Sequence, residues 1–315
     1  MIKQTIDVVI PTLNRIDQIQ QCIESILTQT YKPTSIIVVD AGKTTILEQI
    51  IRKKYPNESI IYIKSKKGLP YQRNVGIEQC KSDYILFLDD DIVLTNNFIE
   101  QTFKAFEAKP EFGVVTGKII NPDRKSKVNP LMILFQKLFY LTEAKKNGFK
   151  KSGAYNVKPL SLEGLHEVDI AIGGLTTYRR QIFIDLKFDT TYQFLDGYAS
   201  LEDEDFSLQM KKKYRILYST DAQAYHYHKS SPETRLSVEN KAKIRSFNYR
   251  YFYRKHRKYY NFKPFPHFIS CVGMLIDALL NRKSVIMVKG LIVGFILYSR
   301  KKLELENFKN GKLRN

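Results

Sequence analysis

Ile36-Ile37-Val38-Val39 is β-branched throughout and closes in Asp40, which is how a strand buried on both faces and ending at a sheet rim reads. It is one of several such runs. Asp7-Val8-Val9-Ile10 stops at Pro11, Ile60-Ile61-Tyr62-Ile63 follows, and Tyr84-Ile85-Leu86-Phe87-Leu88 ends in Asp89-Asp90-Asp91. Between them, apolar residues recur at helical spacing: Ile19, Cys22, Ile23, Ile26 and Leu27 with Asn14 as a cap, then Ile46, Leu47, Ile50 and Ile51, then a helix through Asn74-Val75-Gly76-Ile77. Phe98, Ile99, Thr102, Phe103 and Phe106 continue the alternation. Such a βαβα order predicts a doubly wound, mostly parallel sheet with helices on both faces.

The ends of parallel strands lie along one rim, where open α/β sheets take their ligands. Three acids at the mouth of a buried strand repel one another and call for a cation, which a divalent metal carrying a phosphate supplies. Arg73 at a helix start, and Lys66 and Lys67 before Gly68, put phosphate-facing charge at the same pole. Plainer roles exist for each piece: a helix cap for Asp89 to Asp91, a strand stop for Pro11, a turn for Asp40 and for Gly173-Gly174, solvated charge for Arg73 and Lys67.

Taken in order, Pro11-Thr12-Leu13-Asn14-Arg15, Asp40, Arg73-Asn74-Val75-Gly76, Asp89-Asp90-Asp91 and Glu202-Asp203-Glu204-Asp205-Phe206 resemble the inverting family-2 glycosyltransferases of the GT-A fold, over roughly residues 5–230. The resemblance implies that Pro11 and Thr12, with Asn14 and Arg15 of the same motif, line the nucleotide and that Asp40 contacts the base. Lys67, Arg73, Asp89 and Asp90 complete the donor side. Asp89 and Asp91 form the metal-binding Asp-x-Asp for Mn2+ or Mg2+, and Gly173 and Gly174 shape the acceptor side. Asp203 is the candidate base, by motif position and because it opens a helix, with Glu202 beside it on the acceptor side and as the second choice. A carboxylate there takes the acceptor hydroxyl's proton while the nucleotide diphosphate leaves from the opposite face of the sugar. In similar enzymes a histidine completes the metal or diphosphate site, which points to His226, with His228 as the alternative; a packed or surface histidine is the plainer reading of either. On this basis residues 1–120 form a nucleotide-sugar-binding half, 121–230 the acceptor-binding and catalytic half of the same domain, and 231–315 a separate C-terminal segment.

Charge sets that last segment apart. The chain carries +19 in all, yet residues 231–315 hold 19 Lys and Arg against 5 Asp and Glu, a net +14. Residues 241–263 hold nine basic residues and no acid, interleaved with Phe247, Tyr249, Tyr251, Phe252, Tyr253, Tyr259 and Tyr260. Two apolar stretches follow, Phe268–Leu280 and Val285–Tyr298, each short of the ~20 residues a bilayer crossing needs. A basic helical segment with interfacial helices predicts a cytoplasmic protein peripherally attached to the anionic inner face of the plasma membrane. The expected partners are a nucleotide-diphosphate sugar, a glycan or lipid-linked acceptor in bacterial surface polysaccharide synthesis, and that membrane, with no nucleic acid. The rival is a basic nucleic-acid- or membrane-binding protein on an inactive scaffold of the same fold, its aromatics stacking bases. Cys22, Cys80 and Cys271 are odd in number and scattered, which reads as reduced thiols, and no basic-apolar-small export signal opens the chain.

Overall fold

The structure is a computed structural model that describes residues 4–121, 130–141, 148–156, 163–195, 197–227, 236–280, 284–300 and 304. The alternation appears as its periodicity predicts: β1 (Ile6–Thr12), α1 (Ile16–Leu27), β2 (Ser35–Asp40), α2 (Ile46–Lys54), β3 (Ile60–Lys64), α3 (Leu69–Ile77) and β4 (Tyr84–Leu88). A short β5 (Ile92–Leu94), α4 (Phe98–Ala108) and β6 (Val114–Ile119) follow. Next come α5 (Pro130–Leu138), the two-residue strands β7 (Gly148–Phe149) and β8 (Tyr155–Asn156), β9 (Leu165–Val168), β10 (Leu175–Arg179) and the single turn α6 (Ile182–Asp185). α7 (Glu202–Met210), β11 (Ile216–His226), α8 (Val238–His256), α9 (Pro264–Leu280) and α10 (Ser284–Arg300) complete the order.

The chain divides into two compact units that interleave along the sequence. The first takes Met1–Asp123, Ser161–Phe188 and Phe206–Arg235; the second takes Arg124–Leu160, Asp189–Asp205 and Leu236–Asn315.

In the first unit the main sheet runs β3-β2-β1-β4-β10-β6-β11-β5, with β9 on β11. Its β3-β2-β1-β4 half is parallel, and β6 and β11 are parallel too. β10 enters antiparallel between β4 and β6, and β5 pairs antiparallel with β11. Ile6, Val8, Ile10, Ile36, Val38, Leu86 and Leu88 make the sheet's share of the core against Ile19, Ile23 and Ile26 of α1 and Phe98, Ile99 and Phe106 of α4. Asn14 is not the cap of α1: Arg15 holds that position, and Asn14 has φ of 54°, in the left-handed region that Asn tolerates.

The second unit is built on α8, whose buried residues include Phe247, Tyr249, Tyr251, Phe252 and Tyr253. The interleaved aromatics are therefore mostly a core rather than a stacking surface, although Tyr259 is 72% exposed. Gly290 and Gly294 let α10 lie against α8: a Cβ at Gly290 would come 2.4 Å from the Glu239 carbonyl oxygen, and one at Gly294 2.1 Å from that of Lys243. Ser246 Oγ donates to the Leu291 carbonyl across the same contact at 2.9 Å. A buried ion network closes the unit. Lys255 Nζ lies 2.7 Å from Asp189 Oδ2 and 2.8 Å from Asp205 Oδ2, and His256 Nε2 is 2.6 Å from Asp205 Oδ1. Among the described residues no helix is long and apolar enough to cross a membrane. All three cysteines are buried and free.

Candidate active site

The acids after β4 do not cap α4. They turn the chain from β4 into β5, and the sheet register places what surrounds them. β5 pairs with β11 so that His226 stands opposite Ile92. The imidazole Nε2 then meets Asp91 Oδ1 at 3.0 Å, and the Tyr227 amide donates to the Asp91 carbonyl at 2.8 Å. Asn121 fixes this end of β11 through both sides of its amide, donating to the His226 carbonyl and accepting from the His226 amide. Nothing in the sequence pattern singles out Asn121, a lone polar residue beyond a strand. His228 lies outside the described residues.

Arg15 Nη1 bridges two of the acids, 2.8 Å from Asp90 Oδ1 and 3.0 Å from Asp91 Oδ2. Thr12 Oγ1 donates to Asp90 Oδ2 at 2.7 Å. Burial pushes the Asp90 carboxyl up to about 6, against the pull of Arg15 and Thr12. Asp91 goes the other way: burial opposes its charge, but hydrogen bonds and charge from His226 and Arg15 outweigh that and lower it. The Asp91 hydrogen bond raises His226 in turn, against its own burial. Asp90 thus acts as the buried tie between β1, Arg15 and the acid turn, and Asp89 and Asp91 flank it. Cys22, pressed under the turn, has its thiol pushed well up, first by burial and then by the three acids.

Asp89 is the more open acid, its side chain 33% exposed. Its amide donates to the Gly174 carbonyl at 3.0 Å, so Gly174 sits directly on it. Arg73 is fully buried, its Nη2 3.6 Å from Asp89 Oδ1 and its guanidinium over the Phe188 ring at 5.2 Å. Gln72, the residue before it, donates to the Thr12 and Val39 carbonyls and so joins the ends of β1 and β2. Pro11 is buried within β1.

Asp40 lies at the next strand end and is already well supplied with donors: the Gly42 amide at 2.7 Å, Tyr62 Oη at 2.7 Å and Lys64 Nζ at 3.2 Å. Asn14 reaches the same corner, since a Cβ on Gly42 would meet its Oδ1 at 2.5 Å and Asp40 Oδ1 at 2.9 Å. Lys67 is exposed ahead of Gly68, the residue that precedes α3. The first unit therefore gathers Thr12, Arg15, Arg73, Asp89, Asp90, Asp91, Gly174 and His226 into one contact network, with Asp40 and Asn14 one strand over.

Glu202 and Asp203 belong to the second unit, in the first turn of α7. Leu201 before them has φ of 72°. Asp205, two residues on, is not a solvated helix-end acid. It is wholly buried on Lys255, His256 and Tyr192. Glu204 is hydrogen-bonded to Tyr155, whose phenol is pushed up by burial first and then by Glu204.

The donor chemistry of Asp89 and Asp91 suits Mg2+ or Mn2+, both oxygen-seeking ions. Among the described residues no three His, Cys, Asp or Glu side chains stand ready as a metal cage. Asp91 holds Arg15 and His226 instead, so His226 Nε2 has to leave Asp91 before it can ligate. Asp89, Asp91 and His226 are the residues that would hold such a cation.

A family model described as "Glycosyl transferase family 2" matches residues 7–187, more than half of the chain. Glycosyltransferase GlyG of Streptococcus pneumoniae is 31% identical over 123 residues, 38% of this chain and 40% of its own length. Glycosyltransferase GlyA of the same species is 30% identical over 106 residues, 33% of this chain and 15% of its own length. The match thus spans less than half the length of either relative. A glucosyl-dolichyl phosphate glucuronosyltransferase of Haloferax volcanii is 21% identical over 224 residues, 68% of this chain and 66% of its own. Two solved structures share the fold. Mannosyltransferase PcManGT from Pyrobaculum calidifontis, solved with GDP-Man and Mn2+, has a TM-score of 0.57 at 13% identity, covering 96% of this chain and 89% of that one. Staphylococcus aureus TarS 1-349, solved with UDP-GlcNAc, has a TM-score of 0.52 at 15% identity, covering 99% and 93%.

Proposed function

The chain belongs to glycosyl transferase family 2, and from that premise we propose that it moves a sugar from a nucleotide-diphosphate donor to a hydroxyl of a glycan or lipid-linked acceptor, with inversion, in bacterial surface polysaccharide synthesis. The observation that carries this reading is the acid turn itself, with Asp91 fixed between Arg15 and His226 and Asp89 presented against Gly174. The donor's diphosphate belongs beside Asp89, with Arg73 and Lys67 as the cations of that pole. A bound Mn2+ or Mg2+, held by Asp89, Asp91 and His226, would neutralise charge on the leaving diphosphate. Asp203 takes the proton from the acceptor hydroxyl, the new bond forms at the anomeric carbon, and the electron pair of the old one leaves with the diphosphate. Support comes from the family membership and from fold neighbours solved with GDP-Man and Mn2+ or with UDP-GlcNAc.

Thermal-shift screening of nucleoside diphosphates and their sugars, with and without MnCl2, tests it. One base is expected to raise the melting temperature by about 5 °C in a metal-dependent way at a hundredfold excess over its Kd. Indifference to every nucleotide with and without metal would sink the donor assignment.

We also propose that the protein lies peripherally on the inner face of the plasma membrane. The +14 of residues 231–315 gives it an electrostatic complement to anionic lipid. Phe265 and Phe268 on α9 and Val285 and Ile286 on α10 are 53–77% exposed. Because α10 packs on α8, removing residues 264–315 would strip the second unit's own core, so point changes test the idea better. Phe268→Asp with Val285→Asp is expected to cut co-sedimentation with phosphatidylglycerol vesicles severalfold. Equal pelleting of this variant, or equal pelleting of the parent with neutral vesicles, would rule the anchor out.

A further inference from the structure

The second unit contains a half-enclosed cavity of about 720 Å³ whose wall changes chemistry from one side to the other. Typical small-molecule sites fall in this size range. One part is aromatic, with two acids behind it. Tyr155 and Tyr198 line it, Tyr155 is hydrogen-bonded to Glu204, and Glu202 lies close to both tyrosines. Aromatic rings give a sugar's apolar face a surface to stack on, and phenol oxygens accept from its hydroxyls. A second part is cationic. Lys241 and Arg245 stand one helical turn apart on α8, both exposed, on the face that also carries Val238, Ala242 and Tyr249. The third part is apolar, made by Met274 of α9 with Met287 and Leu291 of α10. Methionine there gives a surface that adapts to an irregular chain. Farther along α9 and α10, Leu279, Leu280, Val285 and Ile286 are 53–77% exposed. Asp277 is the one acid that lines the cavity directly among the described residues, against two cations.

We propose that this cavity seats the acceptor, and that the acceptor is a saccharide carried on a phosphate-headed lipid: sugar by Tyr155 and Tyr198, phosphate on Lys241 and Arg245, first lipid units on Met274, Met287 and Leu291. The proposal rests on the transferase reading and names the substrate class for it. It accounts for why the acid-rich start of α7, with Asp203 in it, shares a unit with a basic wall and an apolar floor. A soluble glycan would need the first part and neither of the other two.

The test is calorimetric titration of the full chain, in neutral detergent, with farnesyl phosphate, farnesol and inorganic phosphate, and with nucleoside diphosphate plus MnCl2 as a separate arm. Farnesyl phosphate is expected to bind at least about tenfold more tightly than farnesol, one charge-assisted contact's worth, and inorganic phosphate not detectably at the same concentration. Arg245→Gln and Lys241→Gln, both on exposed positions, should each bring farnesyl phosphate toward farnesol while circular dichroism and the nucleotide titration stay at parental values. Equal affinity for farnesol and farnesyl phosphate, or a phosphate preference that survives both substitutions, overturns the site. The nucleotide arm reads the donor assignment independently, so a failed lipid titration beside intact nucleotide binding removes this proposal alone.

Discussion

Asp203→Asn is expected to lower the transfer rate by about 10²- to 10⁴-fold while nucleoside diphosphate affinity stays at the parental value, the range general-base removal usually costs. That corresponds to about 3–5 kcal/mol of transition-state stabilisation. Motif position points to Asp203, and burial separates it from Glu202 and Asp205. Asp205 is wholly buried and holds Lys255, His256 and Tyr192, so its removal would damage the second unit before it touched chemistry. Glu204 is engaged by Tyr155. Glu202 is 6% exposed and close to Tyr198, whereas Asp203 is intermediate in exposure in the same first turn of α7. Asn in place of Asp keeps the shape and removes the negative charge, whose first-turn share is worth about 0.3–1 kcal/mol to the helix. A melting curve run beside the rate assay separates a loss of chemistry from a loss of folding. Glu202→Gln is the paired control. If Asp203→Asn turns over normally and Glu202→Gln does not, the base is Glu202.

The parts of the fold that were legible are those set by local pattern. Val8–Ile10, Ile36–Val39, Ile60–Ile63 and Tyr84–Leu88 announce themselves as strands by apolar runs alone, and the acid turn marks the rim because it follows one of them. Strand direction and neighbour are not local. Leu175–Arg179 lies antiparallel between β4 and β6, and its five residues say nothing of that. The three-residue β5 is too short to show a period, yet it is what brings His226 to Asp91. Asp205 has the sequence position of a helix-end charge, and its partners Lys255 and His256, some fifty positions away, leave no mark on the local pattern. The Tyr and Phe residues of 247–253 were visible as a pattern, but only their burial distinguishes a core from a base-stacking surface.

Gly174→Ala is the second large effect, and it tests the donor side without replacing any charged residue. Gly174 has φ of 72°, where a side chain costs about 1–2 kcal/mol. The added Cβ would stand 2.1 Å from Asp89 Cγ and 2.2 Å from Asp89 Oδ2, far inside contact distance. Asp89 is tied by its own amide to the Gly174 carbonyl, and the next residue, Leu175, already pairs with Leu88 in the sheet. The carboxylate must swing away from the turn, or β10 must part from the end of β4. The expected result is a fall in melting temperature of a few degrees, loss of the Mn2+-dependent nucleotide shift, and at least about a hundredfold drop in transfer, the scale on which active-site groups misplaced by about 1 Å lose rate. Gly173 lies outside the left-handed region, so Gly173→Ala is the matched control and should be milder in all three measurements. A Gly174→Ala protein that keeps its metal-dependent nucleotide shift would mean that the carboxylate of Asp89 does not face the donor, and the cation would then have to rest on Asp91 and His226 alone.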